Sequence, residues 1–367
     1  MTSTNEKKIA ITFVLPGEGS VPIGGFKVVY EYANALVRRG HRVTVLHPDV
    51  LKEGMTPLRY SKRVFRYLRK SMDRSYRPDS WFKIDPRVEM RWRPSLHSFF
   101  VPDADAVVAT FWRTAEWVAN YPVCKGEKYY LIQHQETWAG PESRVMATWR
   151  LPLHKIVIAR WLQAIADDMG EKSTYIPNGM DLEAFGMDSD PEKRNPNRVM
   201  MLYHQSDWKG SADGLKALQI AHENFPALEA DFFGVPVAPD DLPPWIRYHR
   251  NPPQTKLRGL YNEAAIFLAP SWTEGWGLTP AEAMVCGAAV VATNIGGHRE
   301  FCVPDQTALL SPPKEPNAMA QNLLTLLHDQ EKRIRIARSG NEYIQQFTWS
   351  RATNALESAL LRKDFAR

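Results

Sequence analysis

Short apolar runs alternate with amphipathic stretches along this chain, and they do so in two successive series. The first runs "KIAITFVL", "FKVVYEYANALVRRG", "RVTVLH", and later "ADAVVAT", "KYYLIQH" and "KIVIA"; the second runs "RVMMLYH", "LEADFFG", "AIFLAP" and "AAVVAT", each with a helical stretch after it. A continuous apolar run of strand length suits a parallel strand buried on both faces, and parallel strands need a helical crossover between them. Each series therefore predicts a βαβ sheet domain. Between them stands "YIPNGMDLEAFGMDSDPEKRNPN", dense in Pro, Gly, Asn and Asp, which reads as a connector with the domain cut near residue 180. The 367 residues suffice for two domains of about 150 residues or more. Open α/β sheets bind ligands outside the carboxyl ends of their strands, so a ligand cleft between two facing halves is expected.

Other classes of protein are excluded by what the chain lacks. It has no apolar run of about 18 residues, and its start passes into a strand with no cleavage pattern, so a cytoplasmic protein is expected. Cys124, Cys286 and Cys302 lack paired spacing and read as reduced structural thiols. The charge is uneven: residues 51–93 hold 13 Lys/Arg against 5 Asp/Glu, in a chain with a net charge of only +5. Within that stretch Val64, Phe65 and Leu68 form a stripe ringed by Lys62, Arg63, Arg66, Arg69 and Lys70. Two readings stay open: a solvated helix packed on its own domain by that stripe, or residues 59–77 as a contact for an anionic membrane surface or phosphate-bearing acceptor, making the protein peripheral on the membrane's inner face. Nucleic acid is not an expected partner, because no module signature accompanies the charge.

The stretch "EGWGLTPAEAMVCGAAVVAT" carries most of the chemical information. An apolar strand leads into a Gly-Trp-Gly turn and then a helix expected to begin with Thr279 at N-cap, Pro280 at N1 and Glu282 at N3. On that geometry Glu282 is a capping-box acid. The same geometry makes an anion site: the amides of Gly275, Gly277 and Leu278 run toward a helix N-terminus whose unpaired N–H groups and dipole suit a phosphate. Glu274 and Glu282 then flank it and can accept hydroxyls, a sugar on one side and a ribose on the other.

With "EGWGLTPAEAM.CG..VVAT..GG..E" in place, the chain resembles the retaining glycosyltransferases of family GT4, which have the GT-B fold of two Rossmann-like domains with parallel sheets facing across a cleft. Gly24-Gly25 resembles the family's amino-terminal glycine loop, "IPNGMDLEAF" its interdomain segment, "SDWKG" its phosphate-lysine segment and "FTWSRATNALESALL" its closing helices. The domains implied are 1–180 on the acceptor side and 181–345 on the donor side, with a helix over 346–367 packing back on the first. "GGFKVVYEYANAL" with "YLIQHQE" is similar, more narrowly, to members that build bacterial surface polysaccharides, rhamnosyltransferases among them.

That resemblance implies a nucleotide-sugar donor, a glycan or lipid-linked acceptor, and roles for particular residues. Glu274 would hold donor-sugar hydroxyls and Glu282 the ribose. The turn Gly275-Trp276-Gly277, with the amides of Gly277, Leu278 and Thr279, would bind the diphosphate, which Lys209 would neutralise. His134 would face the sugar; otherwise it is a loop histidine with satisfied hydrogen bonds. The family's usual arginine before the lysine is missing: "LYHQSDWKG" puts His204 or Gln205 there, leaving Arg258, Arg299 or another cation as substitutes. In "NIGGHREF", Gly296 and Gly297 suggest a close backbone approach, with His298 beside them and Glu300 opening the next helix.

No metal and no cofactor are expected. "DSD" at Asp188–Asp190 lies in the connector, so lysine, amides and helix dipole take the place of a divalent ion. The resemblance implies retention of anomeric configuration. Competing readings are a nucleotide-sugar epimerase of the same fold, a phosphorylase, which needs a far longer chain, and an NAD-binding or regulatory module with Asp49 on a ribose, for which G-x-G-x-x-G is incomplete.

Overall fold

The computed structural model describes residues 7–49 and 57–361, with side chains from Ser61 onward in the second stretch. They form two compact units, Met1–Asn178 with Trp349–Arg367, and Gly179–Thr348.

The first unit contains β1 (Ala10–Val14), α1 (Gly24–Arg38), β2 (Arg42–Pro48), α2 (Pro57–Asp73), β3 (Glu89–Arg93), β4 (Ala106–Ala109), α3 (Trp112–Ala119), β5 (Glu127–Ile132), α4 (Glu142–Thr148), β6 (His154–Val157), α5 (Arg160–Asp168) and β7 (Ser173–Tyr175). Its seven strands are ordered β3-β2-β1-β4-β5-β6-β7. Every pairing is parallel. β1 and β4 are buried at every position, as strands covered on both faces must be.

The second unit contains β8 (Arg198–Leu202), α6 (Ser211–Asn224), β9 (Glu229–Gly234), β10 (Ile246–Arg250), α7 (Gln254–Glu263), β11 (Ile266–Ala269), α8 (Leu278–Val285), β12 (Ala289–Thr293), β13 (Ala308–Ser311), α9 (Pro316–His328) and α10 (Gln330–Ile344). Its six strands follow the same plan, β10-β9-β8-β11-β12-β13. Val199, Met201, Phe232, Ile266, Leu268 and Val291 interlock with Leu218, Leu323, Leu326 and Ile336 in its core. Each such side chain contributes about 1.5–3 kcal/mol by leaving water. In both sheets strand order reverses beside the first strand, between β1 and β4 and between β8 and β11, and a ligand crevice opens at such a switch.

The last helix, α11 (Trp349–Leu361), belongs to the first unit. Its Glu357 meets Arg39 at 2.5 Å and His41 at 2.7 Å, and Tyr129 donates its hydroxyl to the Ala359 carbonyl at 3.2 Å.

Buried Arg194 donates to the carbonyls of Ser189, Tyr261, Ala264 and Cys286 and fastens the Pro- and Asp-rich stretch past residue 180 to the second unit. One expectation is corrected here. Helix α2 does not pack through its apolar stripe. Val64, Phe65, Leu68 and Met72 are exposed, Phe65 at 70% and Met72 at 85%. Three of its basic side chains turn inward instead, Arg63 and Arg66 to buried Asp49 and Lys70 to Glu18, while Lys62 and Arg69 stay exposed. A buried carboxylate needs paired charge, which explains why this helix is docked by its polar face.

Candidate functional site

At the switch point of the second sheet, β8 runs into a loop that carries Lys209 and β11 into a loop that carries Glu274. After β8 the chain makes a single turn over Asp207–Lys209 and reverses at Gly210, whose φ is 65°. A Cβ there would lie 2.1 Å from the Pro270 carbonyl oxygen, so only glycine lets this loop press on the one after β11. The amide of Trp272 donates to the Trp208 carbonyl at 2.7 Å and stitches the loops together. Lys209 Nζ consequently sits 2.7 and 3.0 Å from the two carboxylate oxygens of Glu274, and Ser271 Oγ donates to Oε1 at 2.8 Å. Burial pushes the Glu274 carboxyl up, but the Lys209 charge and hydrogen bond, with His298 and Ser271, outweigh burial and hold it below its ordinary value. It is an ionised carboxylate held by a cation.

The turn after Glu274 delivers the start of α8. Gly277 is its N-cap, with φ 102° and no side-chain cap, so Leu278 and Thr279 open the helix. First-turn amides have no intrahelical acceptor. The expected capping box is therefore corrected: Thr279 is inside the helix, Glu282 is its fifth residue, buried, and Glu282 accepts the Tyr261 hydroxyl at 3.2 Å. Trp276 is a second correction. Its indole is 2% exposed and packs on Phe301 and Phe347, so in a donor site it could offer only its backbone. Gly297 lies against the Glu274 backbone, where a Cβ would come within 2.5 Å of the carbonyl oxygen. Glu300 closes the one-turn helix His298–Glu300 and opens none.

His204 stands after β8 near Lys209. Its Nδ1 accepts the Ser206 amide at 3.0 Å, and its own amide donates to Ser211 Oγ at 2.9 Å. Burial, then the Lys209 charge, lowers its pKa. A neutral ring that accepts at Nδ1 carries its proton on Nε2. Arg258, one possible stand-in for the missing arginine, is held by Asp188 and the Glu183 carbonyl.

The remaining expected residues lie in the first unit. Gly24 and Gly25 open α1, and Gln133 Nε2 donates to the Gly25 carbonyl at 3.1 Å. His134 follows β5, accepts the Glu136 amide at 3.2 Å on Nδ1, and lies 5.5 Å from the Trp161 ring. Glu136 was not singled out by sequence: it is buried at φ 64°, accepts the Trp112 amide at 2.8 Å, and burial lifts its carboxyl to about 8. Nothing in "QHQE" marks that burial. Asp49, which the dinucleotide reading put on a ribose, has a fully buried side chain held by Arg63 and Arg66.

Residues 242–343 match the family described as glycosyl transferases group 1. D-inositol 3-phosphate glycosyltransferase of Corynebacterium efficiens is 34% identical over 113 residues, 31% of this chain and 27% of that protein, so the match spans about a quarter of the relative's length. Glycogen synthase of Mycobacterium tuberculosis is 24% identical over 306 residues, 79% of this chain and 70% of that one. Among solved structures, Anabaena HepE in complex with UDP-glucose superposes with a TM-score of 0.73 at 17% identity, over 96% of this chain and 99% of that chain. The chain is therefore built as a GT-B fold, and residues 242–343 of its second unit match the glycosyl transferases group 1 family.

Proposed function

We propose that the protein is a retaining glycosyltransferase that moves a hexose from a UDP- or dTDP-linked donor, with rhamnose a candidate sugar, to a glycan or lipid-linked acceptor in polysaccharide or glycoconjugate biosynthesis. The observation that carries this reading is the Lys209–Glu274 pair, set at the sheet's switch point just before the N-terminus of α8. A bound diphosphate competes for the Lys209 ammonium. Once Lys209 turns to the phosphates, the Glu274 carboxylate is freed to accept sugar hydroxyls. Lys209 and the amides of Gly277, Leu278 and Thr279 then stabilise the charge that develops on the leaving diphosphate, the electrostatic share of catalysis. His204 adds an uncharged N–H where the family usually has a guanidinium. Glu282 holds the ribose. These groups make a divalent ion unnecessary, and the leaving phosphate oxygen takes the acceptor's proton, so no separate protein base is assigned.

Two further parts belong to this proposal. Gly24, Gly25 and His134 serve the donor sugar from the first unit. Helix α2 contacts an anionic membrane surface, with Val64, Phe65, Leu68 and Met72 entering the headgroup region and the local excess of Lys and Arg supplying attraction to the lipid. Among the described residues no helix is long and apolar enough to cross a membrane.

Screening nucleotide sugars for hydrolysis and transfer, with and without chelator, tests the reading. One nucleotide sugar turned over equally in both conditions is the expected result. Turnover abolished by chelator and restored by magnesium or manganese would refute the metal-independent step.

A further inference from the structure

His298 lies after β12, fully buried, and its two ring nitrogens have different fates. Nδ1 is 2.9 Å from the Thr293 carbonyl oxygen. A carbonyl only accepts, so Nδ1 carries the proton and donates it. Thr293 Oγ1, 3.2 Å from the same nitrogen, spends its own hydrogen on the Ser271 carbonyl at 2.5 Å. Nε2 is therefore a bare acceptor, and it is buried with no hydrogen-bond partner. Burial lowers the pKa of the ring, outweighing the opposite pull of Glu274, so protonation does not relieve it near neutral pH. A buried acceptor left unpaired is costly, and such groups in folded proteins need an explanation.

The direction in which Nε2 points supplies one. A Cβ added to Gly277 would lie 2.9 Å from His298 Cδ2 and 3.4 Å from Nε2, so this edge of the ring faces the N-cap of α8. The charged groups that act on the ring are Glu274 and Lys209. That edge therefore borders the N-cap of α8, beside the place that the preceding reading gives to the junction of sugar and diphosphate. Phosphate oxygens are acceptors and cannot pair with Nε2, and Lys209 is engaged with Glu274 in the free protein and, on the preceding reading, with the diphosphate once the donor is bound. A sugar hydroxyl can.

We propose that His298 Nε2 accepts a hydrogen bond from a hydroxyl of the donor sugar, so that His298 and Glu274 select the sugar together. The inference rests on the second unit being a nucleotide-sugar site. It also gives the two histidines complementary roles: His204 offers an N–H and suits phosphate, whereas His298 offers a lone pair and suits hydroxyl.

Two substitutions separate this role from packing. Asparagine reproduces the Nδ1 donor to Thr293 but has nothing at the Nε2 position, while glutamine places an oxygen or nitrogen near Nε2. Wild type, His298→Asn and His298→Gln are titrated with UDP, dTDP, GDP and ADP and with their hexose conjugates, and kcat and KM for hydrolysis are measured for the best donor. His298→Asn should weaken binding of the sugar nucleotide tenfold or more while changing affinity for the matching free diphosphate less than twofold, and His298→Gln should recover much of the loss. Equal weakening of both ligands means that the ring only supports the loop, and no change in either means that Nε2 meets no ligand; each overturns the proposal. Should no nucleotide bind wild type, the reading of the site fails and this inference falls with it, an outcome distinct from the other two.

Discussion

Replacing Glu136 by glutamine should stabilise the protein at alkaline pH and leave it unchanged at acid pH. Glu136 is 5% exposed and accepts the Trp112 amide at 2.8 Å and the Tyr130 hydroxyl at 3.4 Å. Burial is the dominant influence and lifts its carboxyl from the ordinary 4.5 to about 8, against the two hydrogen bonds that pull it down. The folded chain therefore keeps a proton that the unfolded chain releases between these values. Because the folded pKa is the higher one, this group's contribution is most favourable below pH 4.5 and is lost as pH climbs toward 8. Each pH unit in that window removes about 1.4 kcal/mol, or roughly 4 kcal/mol across three units. Glutamine has the same length, keeps an acceptor for the Trp112 amide, meets the same strain at φ 64° and carries no charge. Unfolding by heat or urea, followed at half-unit pH steps for both proteins, reads the gap between them, which is the useful quantity when two units make a single unfolding free energy ill-defined. The curves should coincide near pH 5 and separate by several kcal/mol at pH 8, with the variant more stable. A gap independent of pH, or a variant weaker than wild type at pH 8, would refute the picture of a neutral buried acid.

Four further outcomes follow from the same structure. Lys209→Ala should lose nucleoside diphosphate affinity and cut turnover by roughly 10²-fold or more, the cost of removing one preorganised charge-stabilising donor, as measured by calorimetry and steady-state kinetics. Glu274→Gln should lower kcat with little effect on free diphosphate binding, whereas Glu282→Gln should weaken both; if these two variants lost only thermal stability, their placement against the ligand would be wrong. On α2, Phe65→Ser, Leu68→Ser and Met72→Ser combined should abolish sedimentation with anionic vesicles and leave melting and donor hydrolysis unchanged, while Arg63→Gln with Arg66→Gln should destabilise the first unit by about 3–5 kcal/mol by stranding Asp49 as a buried, unpaired charge.

The apolar rhythm determined the interior strands of both sheets, because a parallel strand covered on both faces has to be apolar throughout. β1, β2, β4, β5 and β6 are legible in this way, as are β8, β9, β11 and β12. The four strands that the rhythm did not announce, β3, β7, β10 and β13, are the four sheet edges. Three of them, "EMRWR", "STY" and "IRYHR", carry polar residues because one flank is uncovered. The acidic pair around "GWGLTP" and the lysine of "SDWKG" were legible because their residue types suit anion binding wherever the chain brings them together. Distance, burial and direction were decided by tertiary contact alone. Lys209 and Glu274 are 65 residues apart in sequence and 2.7 Å apart in space because Gly210 lets one loop press on the other. Trp276, conspicuous in sequence, is a core residue, while His298 and Glu136 owe their protonation to burial that no local pattern encodes. Helix α2 shows the limit most plainly: its periodicity fixes which residues share a face, but a buried carboxylate elsewhere in the chain, Asp49, decides which face turns inward.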